Sequence, residues 1–156
     1  MKLDEKDRKI LKGLRGTSRI PFTKIARETG IPIDVVKYRV KKLEREGVIQ
    51  EYLPYIDHER IDYPMMAYVL FTLYKLDPDT EQKFREHLIA HPKITYVAKY
   101  SGKWDYCISA CAKNYKELDG IVHDIRTKFS DIIKDYDVMH VIEEYKIYQL
   151  ADLVAT

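Results

Sequence analysis

Cysteine is scarce in this chain, with two in 156 residues, and both fall in one short apolar stretch. Cys107 and Cys111 stand four apart in a run that reads as a strand, which places them roughly 13 Å apart, too far for a mutual disulfide or a shared metal. Both read as small, partly buried hydrophobes. No apolar run approaches the length of a membrane span, and the charged N-terminus lacks the apolar segment of a signal peptide. A cytoplasmic protein with no membrane partner is the expectation. No Gly-rich phosphate loop and no nucleophile–base pair stands out, and the carboxylates fall mostly on solvated helix faces. The five histidines are scattered. His87 and His91 are four apart, a spacing that can bind metal, but they lack an adjacent Glu and a clear third ligand. These absences argue against an enzyme and against a metal or other cofactor.

The chain also has little net charge, a formal +2. The small total hides an asymmetry. Residues 1–47 hold 14 Lys/Arg against 7 Asp/Glu, while the remainder holds 13 against 18. Opposite halves of this kind suggest a basic nucleic-acid-binding part joined to a part with another task. The basic part would be steered to phosphate and be salt-sensitive. The length suits one larger domain or two small ones, with enough chain for a core in either case.

The basic part contains three helical patterns. Asp4 is an N-cap candidate for a helix to about Arg15, with Glu5 and Asp7 in its positive first turn and Ile10, Leu11 and Leu14 at helical spacing. Gly16-Thr17-Ser18 reads as a loop. A second helix, about Pro21 to Thr29, turns Phe22, Ile25 and Ala26 inward and stops at Gly30, a position suited to a left-handed backbone. The third follows at once. Ile33, Val36, Val40 and Leu43 form its apolar stripe, and Asp34, Lys37, Tyr38, Lys41 and Arg45 its other side. Helix, tight Gly-containing turn, helix describes a helix-turn-helix, and the preceding helix completes a three-helix unit. A solvated surface helix is the plain alternative for any basic helix taken alone. Val48–Leu53 is β-prone and reads as a short wing or linking strand. The polar stretch 54–64 reads as a connector.

From Met65 the periods alternate. Met65–Leu76, Ile94–Tyr100, Trp104–Ala112 and Ile132–Tyr148 read as strands. Asp77 to His91 and a segment capped by Asn114 read as helices. The order β-α-β-β-α-β is the ferredoxin-like plan, an antiparallel sheet with both helices on one face. Its other face must be covered or become an interface, a use that suits the 13 tyrosines. The fold class is α+β: residues 1–53 form a winged-helix-like DNA-binding domain, 54–64 a linker and 65–156 a ferredoxin-like domain.

The chain resembles the Lrp/AsnC ("feast/famine", leucine-responsive) transcription regulators over nearly all its length. The N-terminal match runs through Leu3-Asp4, Asp7, Ile10-Leu11, Leu14, Arg19-Ile20, Ile25-Ala26, Gly30, Val36, Arg39, Val40, Leu43-Glu44 and Gly47-Val48-Ile49. The C-terminal match is Ser101-Gly102-Lys103-Trp104-Asp105-Tyr106, similar to the family's Thr-Gly-x-x-Asp-Tyr hairpin. The resemblance implies a sequence-specific regulator of double-stranded DNA that dimerises through its sheet and assembles further. It also implies an amino acid or related small molecule bound near that hairpin as effector. Pro21 and Pro32 stand where the family usually has Ser, so neither supplies a capping oxygen. In the last strand Asp135 and its neighbours replace the family's Thr or Ser, and a carboxylate there favours an ammonium.

These readings yield two candidate sites. Asp34, Lys37, Tyr38 and Lys41 share the outer side of the third helix and form the reading face, with Lys42, Arg45, Lys24 and Arg27 as phosphate contacts. Arg39 is either a further DNA contact or half of an internal salt bridge, to Glu44 or to an acid of the first helix. Ser101, Gly102, Asp105, Tyr106 and Asp135 are the effector candidates. Gly102 and Asp105 have a second reading, as the turn and cap of a tight hairpin. The alternative from another class is a ligand-sensing or architectural module that binds DNA with little sequence preference.

Overall fold

The computed structural model describes residues 2–15, 19–74, 77–145 and 150–155. The 16–18 loop, the end of the first expected strand at Leu76 and residues 146–148 of the last extended run lie outside them. Two compact units result, Met1–Tyr55 together with Tyr145–Thr156, and Ile56–Glu144.

The first unit contains α1 (Glu5–Gly13), α2 (Phe22–Thr29) and α3 (Ile33–Arg45). Asp4 caps α1 in a reciprocal box with Asp7: each carboxylate accepts the other's backbone N–H. Pro21 and Pro32 stand at the N-caps of α2 and α3 with no side-chain cap. Gly30, at φ 69°, ends α2 in the left-handed region, where a residue with a Cβ is strained. Ile10, Ile25, Ile31, Val36, Val40 and Leu43 meet as the core. The short 3-10 segment Leu150–Ala155 packs on α1, with Arg8 Nη1 donating to the Val154 carbonyl over 3.4 Å.

The expected wing does not form as a strand. No ladder runs through residues 48–53. The N–H groups of Val48 and Ile49 instead close on the Leu43 carbonyl at 2.9 and 3.1 Å, satisfying the C-terminal end of α3. Local β-propensity lacked a partner strand and yielded to the helix terminus.

The second unit holds β1 (Met65–Leu73), α4 (Pro78–Ala90), β2 (Ile94–Lys99), β3 (Tyr106–Ala112), α5 (Tyr115–Lys128) and β4 (Ile133–His140). Asp77 and Asn114 cap α4 and α5 through the N–H groups of Thr80 and Glu117. The sheet order is β2-β3-β1-β4 with every neighbouring pair antiparallel, the ferredoxin-like arrangement. Alternate residues of each strand face opposite ways. Ala67, Val69 and Phe71 of β1 join Tyr106, Ile108, Ala110 and Ala112 of β3 under the helices. There they meet Phe84 and Leu88 of α4 and Leu118, Ile121, Val122 and Ile125 of α5. Phe84 is the hub, packed edge-on against Phe71, Tyr106 and Phe129 with centroids 5.8, 5.5 and 5.1 Å away. Met66, Tyr68, Leu70, Tyr96, Cys107, Cys111 and Met139 fall on the opposite face.

Candidate functional site

The apolar positions of α3 set which of its residues meet solvent. With Val36, Val40 and Leu43 in the core, Asp34, Lys37, Tyr38, Lys41 and Arg45 are exposed. Tyr38 is 64% exposed, a large apolar ring held in water by a helix whose back is fully packed. Lys37 lies 3.8 Å from Asp34, Arg45 3.7 Å from Glu46, and Lys24 3.9 Å from Glu28. Such loose surface pairs contribute little and exchange readily for a stronger anion. Arg27, Lys41 and Lys42 make no ion pair among the described residues. The arrangement places cations on and around one projecting helix face, the geometry needed for phosphate contact and groove reading.

Arg39 does not belong to that face. Its side chain is 20% exposed, and Nη1 donates to Asp4 Oδ2 at 2.5 Å and to Asp7 Oδ1 at 2.8 Å. Of its two sequence readings, the structure takes the internal salt bridge to α1. The Arg39 hydrogen bond holds the Asp4 carboxyl down at about 2, and both acids raise the guanidinium further. Glu44, the other partner considered for Arg39, accepts from the Tyr52 hydroxyl at 2.8 Å. Burial and that carboxylate push the Tyr52 phenol up to about 12.

The effector candidates converge on one end of the sheet. Gly102 has φ 139°, and Ser101 beside it is exposed. Asp105 is pinned to the end of β1: its N–H donates to the Phe71 carbonyl at 2.8 Å, and Oδ2 accepts from the Leu73 N–H at 2.7 Å. Thr72 Oγ1 donates to the Lys103 carbonyl at 3.1 Å. Asp135 lies opposite Thr72 on the other side of β1 and accepts its neighbour Tyr136's N–H. Asp105 and Asp135 thus flank the same strand end, about 10 Å apart by two strand spacings. The turn role of Asp105 is visible in these bonds, and its Oδ1 has no partner among the described residues.

Tyr106 is the correction in this group. Its side chain is 1% exposed and points under α4, where its hydroxyl donates to Glu81 Oε1 at 2.6 Å. Burial and Glu81 push the phenol up to about 12. Strand alternation turns Tyr106 toward the helices, so it supports the hairpin from within the core instead of touching a ligand. Glu81, which also binds Lys99 at 2.5 Å, is the residue the sequence reading missed. Its only local signal is a carboxylate in the first turn of a helix. His87 and His91 point to different partners, Lys128 Nζ and the Lys93 N–H. No group of three metal-ligating side chains occurs among the described residues, and no described helix is long and apolar enough to cross a membrane.

Comparison with known proteins fits both units. The winged helix-turn-helix DNA-binding family matches residues 3–50, and the Lrp/AsnC ligand binding domain matches residues 66–150. The HTH-type transcriptional regulator FL11 of Pyrococcus horikoshii is 30% identical over 120 residues, covering 77% of this chain and 78% of its own. The Bkd operon transcriptional regulator of Pseudomonas aeruginosa is 30% identical over 112 residues, covering 72% and 73%. The solved complex of a Neisseria meningitidis transcriptional regulator with L-Met has the same fold, with a TM-score of 0.85 at 21% identity over 97% of this chain and 99% of that one. The chain belongs to the Lrp/AsnC family of transcriptional regulators, with a helix-turn-helix DNA-binding part and an Lrp/AsnC ligand binding domain.

Proposed function

We propose that this regulator reads specific double-stranded DNA with Asp34, Lys37, Tyr38 and Lys41, steadied on phosphates by Lys24, Arg27, Lys42 and Arg45. The observation that carries the reading is the projecting face of α3, cationic and aromatic in front and fully packed behind. Lys37 and Lys41 donate to guanine edges, and Tyr38 packs on a thymine methyl or bonds a phosphate. Residues 1–53, with the C-terminal Leu150–Ala155 segment packed on α1, act as the DNA-binding domain, 54–64 as the linker and 65–144 as the effector and assembly domain. An amino acid or related amine binds at the Ser101–Asp105 turn with Asp135 nearby, an idea favoured by the L-Met bound to the Neisseria relative. The two carboxylates select a ligand's ammonium. The chain works as a homodimer, and larger assemblies of it, through the sheet face bearing Met66, Leu70 and Met139. Met139 is 47% exposed in the single chain. The protein acts in the cytoplasm and catalyses no reaction.

Selecting bound sequences from a random DNA pool, with and without each common amino acid, tests this reading. A pseudo-palindromic motif is expected, with half-sites spaced by about one helical turn or a multiple of it. Equal affinity for selected and random DNA at fixed salt would make the protein an architectural binder instead.

A further inference from the structure

Of the two lysines assigned to the reading face, Lys37 has a carboxylate, Asp34, at 3.8 Å, and Lys41 has none among the described residues. Side chains on a helix meet those three and four positions away. For Lys41 these neighbours are Lys37, Tyr38, Glu44 and Arg45, and Glu44 is the sole carboxylate of the four. Both residues are exposed. Helical side chains lean toward the N-terminus, so an unrestrained Glu44 extends over the turn that carries Lys41. A lysine and a glutamate at this spacing ordinarily pair. Here they do not.

Glu44 is engaged elsewhere. Gly47, at φ 70°, turns the chain back at the end of α3, and the Val48 and Ile49 N–H groups fasten the returning segment to the Leu43 carbonyl. That turn brings Tyr52 beside the helix, where its hydroxyl donates to Glu44 Oε1 at 2.8 Å. The Glu44 carboxylate has no other partner among the described residues. A phenol pushed up to about 12 keeps its proton throughout the neutral range and remains a donor. Tyrosine holds the carboxylate without bringing a cation, through a stiff side chain of two torsions. Released, Glu44 would pair with Lys41 and would place a mobile negative charge beside approaching phosphates. Both effects oppose DNA binding.

We propose that Tyr52 is a positioning residue of the DNA-reading face: by holding Glu44 aside, it keeps Lys41 free to donate to a base edge. The proposal rests on the reading of α3 as the DNA-binding surface.

A double-mutant cycle on the full chain, read as affinity for the duplex selected from a random pool, tests it. Tyr52→Phe keeps the ring and removes the hydroxyl. It should weaken binding about threefold, the size of an exposed lysine–glutamate pair, with the thermal midpoint in place. Adding Glu44→Gln should restore the affinity, and in a Lys41→Ala background Tyr52→Phe should have no further effect. The loss should also shrink as salt is raised, since a surface pair is screened. A loss that persists beside Lys41→Ala or survives Glu44→Gln would overturn the proposal and make Tyr52 a DNA contact in its own right. Unchanged affinity in Tyr52→Phe, when Lys41→Ala alone weakens binding, would overturn the positioning role and leave the reading face standing. Unchanged affinity in Lys41→Ala would overturn the role of Lys41 and the positioning role together.

Discussion

Arg39 of α3 places its guanidinium 2.8 Å from the Asp7 carboxylate of α1, and Asp7 is 1% exposed. The same nitrogen reaches Asp4, so the cap of the first helix and the middle of the reading helix share one cation. This clasp ties α3 to α1. Removing the cation leaves a buried carboxylate without its counter-charge, so Arg39→Ala should lower stability by about 3 kcal/mol. Arg39→Lys should recover only part of that, because the shorter lysine cannot carry its ammonium to the position of the Nη1 that bridges both carboxylates. Urea unfolding followed by circular dichroism measures both.

Acid should loosen the same clasp. The folded Asp4 carboxyl ionises at about 2 against an ordinary value of 3.8, chiefly because of the Arg39 hydrogen bond. A depressed carboxylate contributes stability that is complete above its ordinary value and is lost as pH falls toward the folded value. Asn caps helices as well as Asp but does not ionise. Asp4→Asn should therefore flatten the fall in the urea midpoint between pH 5 and 2, relative to the unaltered chain. Parallel curves would remove Asp4 from the account.

Tyr106 offers a test of the other unit. Tyr106→Phe deletes the hydroxyl bonded to Glu81 and should cost about 1 kcal/mol in thermal or urea unfolding. Any change of DNA affinity caused by an amino acid should be the same in this variant, since the buried side chain meets no ligand. A lost response would restore Tyr106 to the effector site.

Much of this architecture is legible in the sequence because it depends on local periods. The spacing of Val36, Val40 and Leu43 marks the back of α3, and Asp4, Asp77 and Asn114 announce the starts of their helices through short side-chain bonds. Alternating strand and helix patterns give the ferredoxin-like order. What stays hidden depends on register and on distant partners. Which way Tyr106 faces follows from its pairing opposite Phe71, a relation between residues 35 positions apart. Arg39 pairs with Asp4 and Asp7 of another helix, and the sequence offers that salt bridge beside a DNA contact and a pair with Glu44 without choosing among them. Val48–Leu53 carries β-propensity without a strand to pair with. Arg126 of α5 meets the Tyr136 ring of β4, an edge strand, a pairing no single stretch encodes.

We propose the outer face of α3 as the DNA-reading surface. Its most direct test is the affinity of the full chain for its selected duplex across a salt series, compared with the Lys37→Ala/Lys41→Ala double variant. Binding at least about thirtyfold weaker and a loss of preference over random DNA are expected, each of the two base-edge contacts contributing about 1–3 kcal/mol. Binding of unchanged affinity and preference, from a variant with an unchanged thermal midpoint, would contradict the proposal.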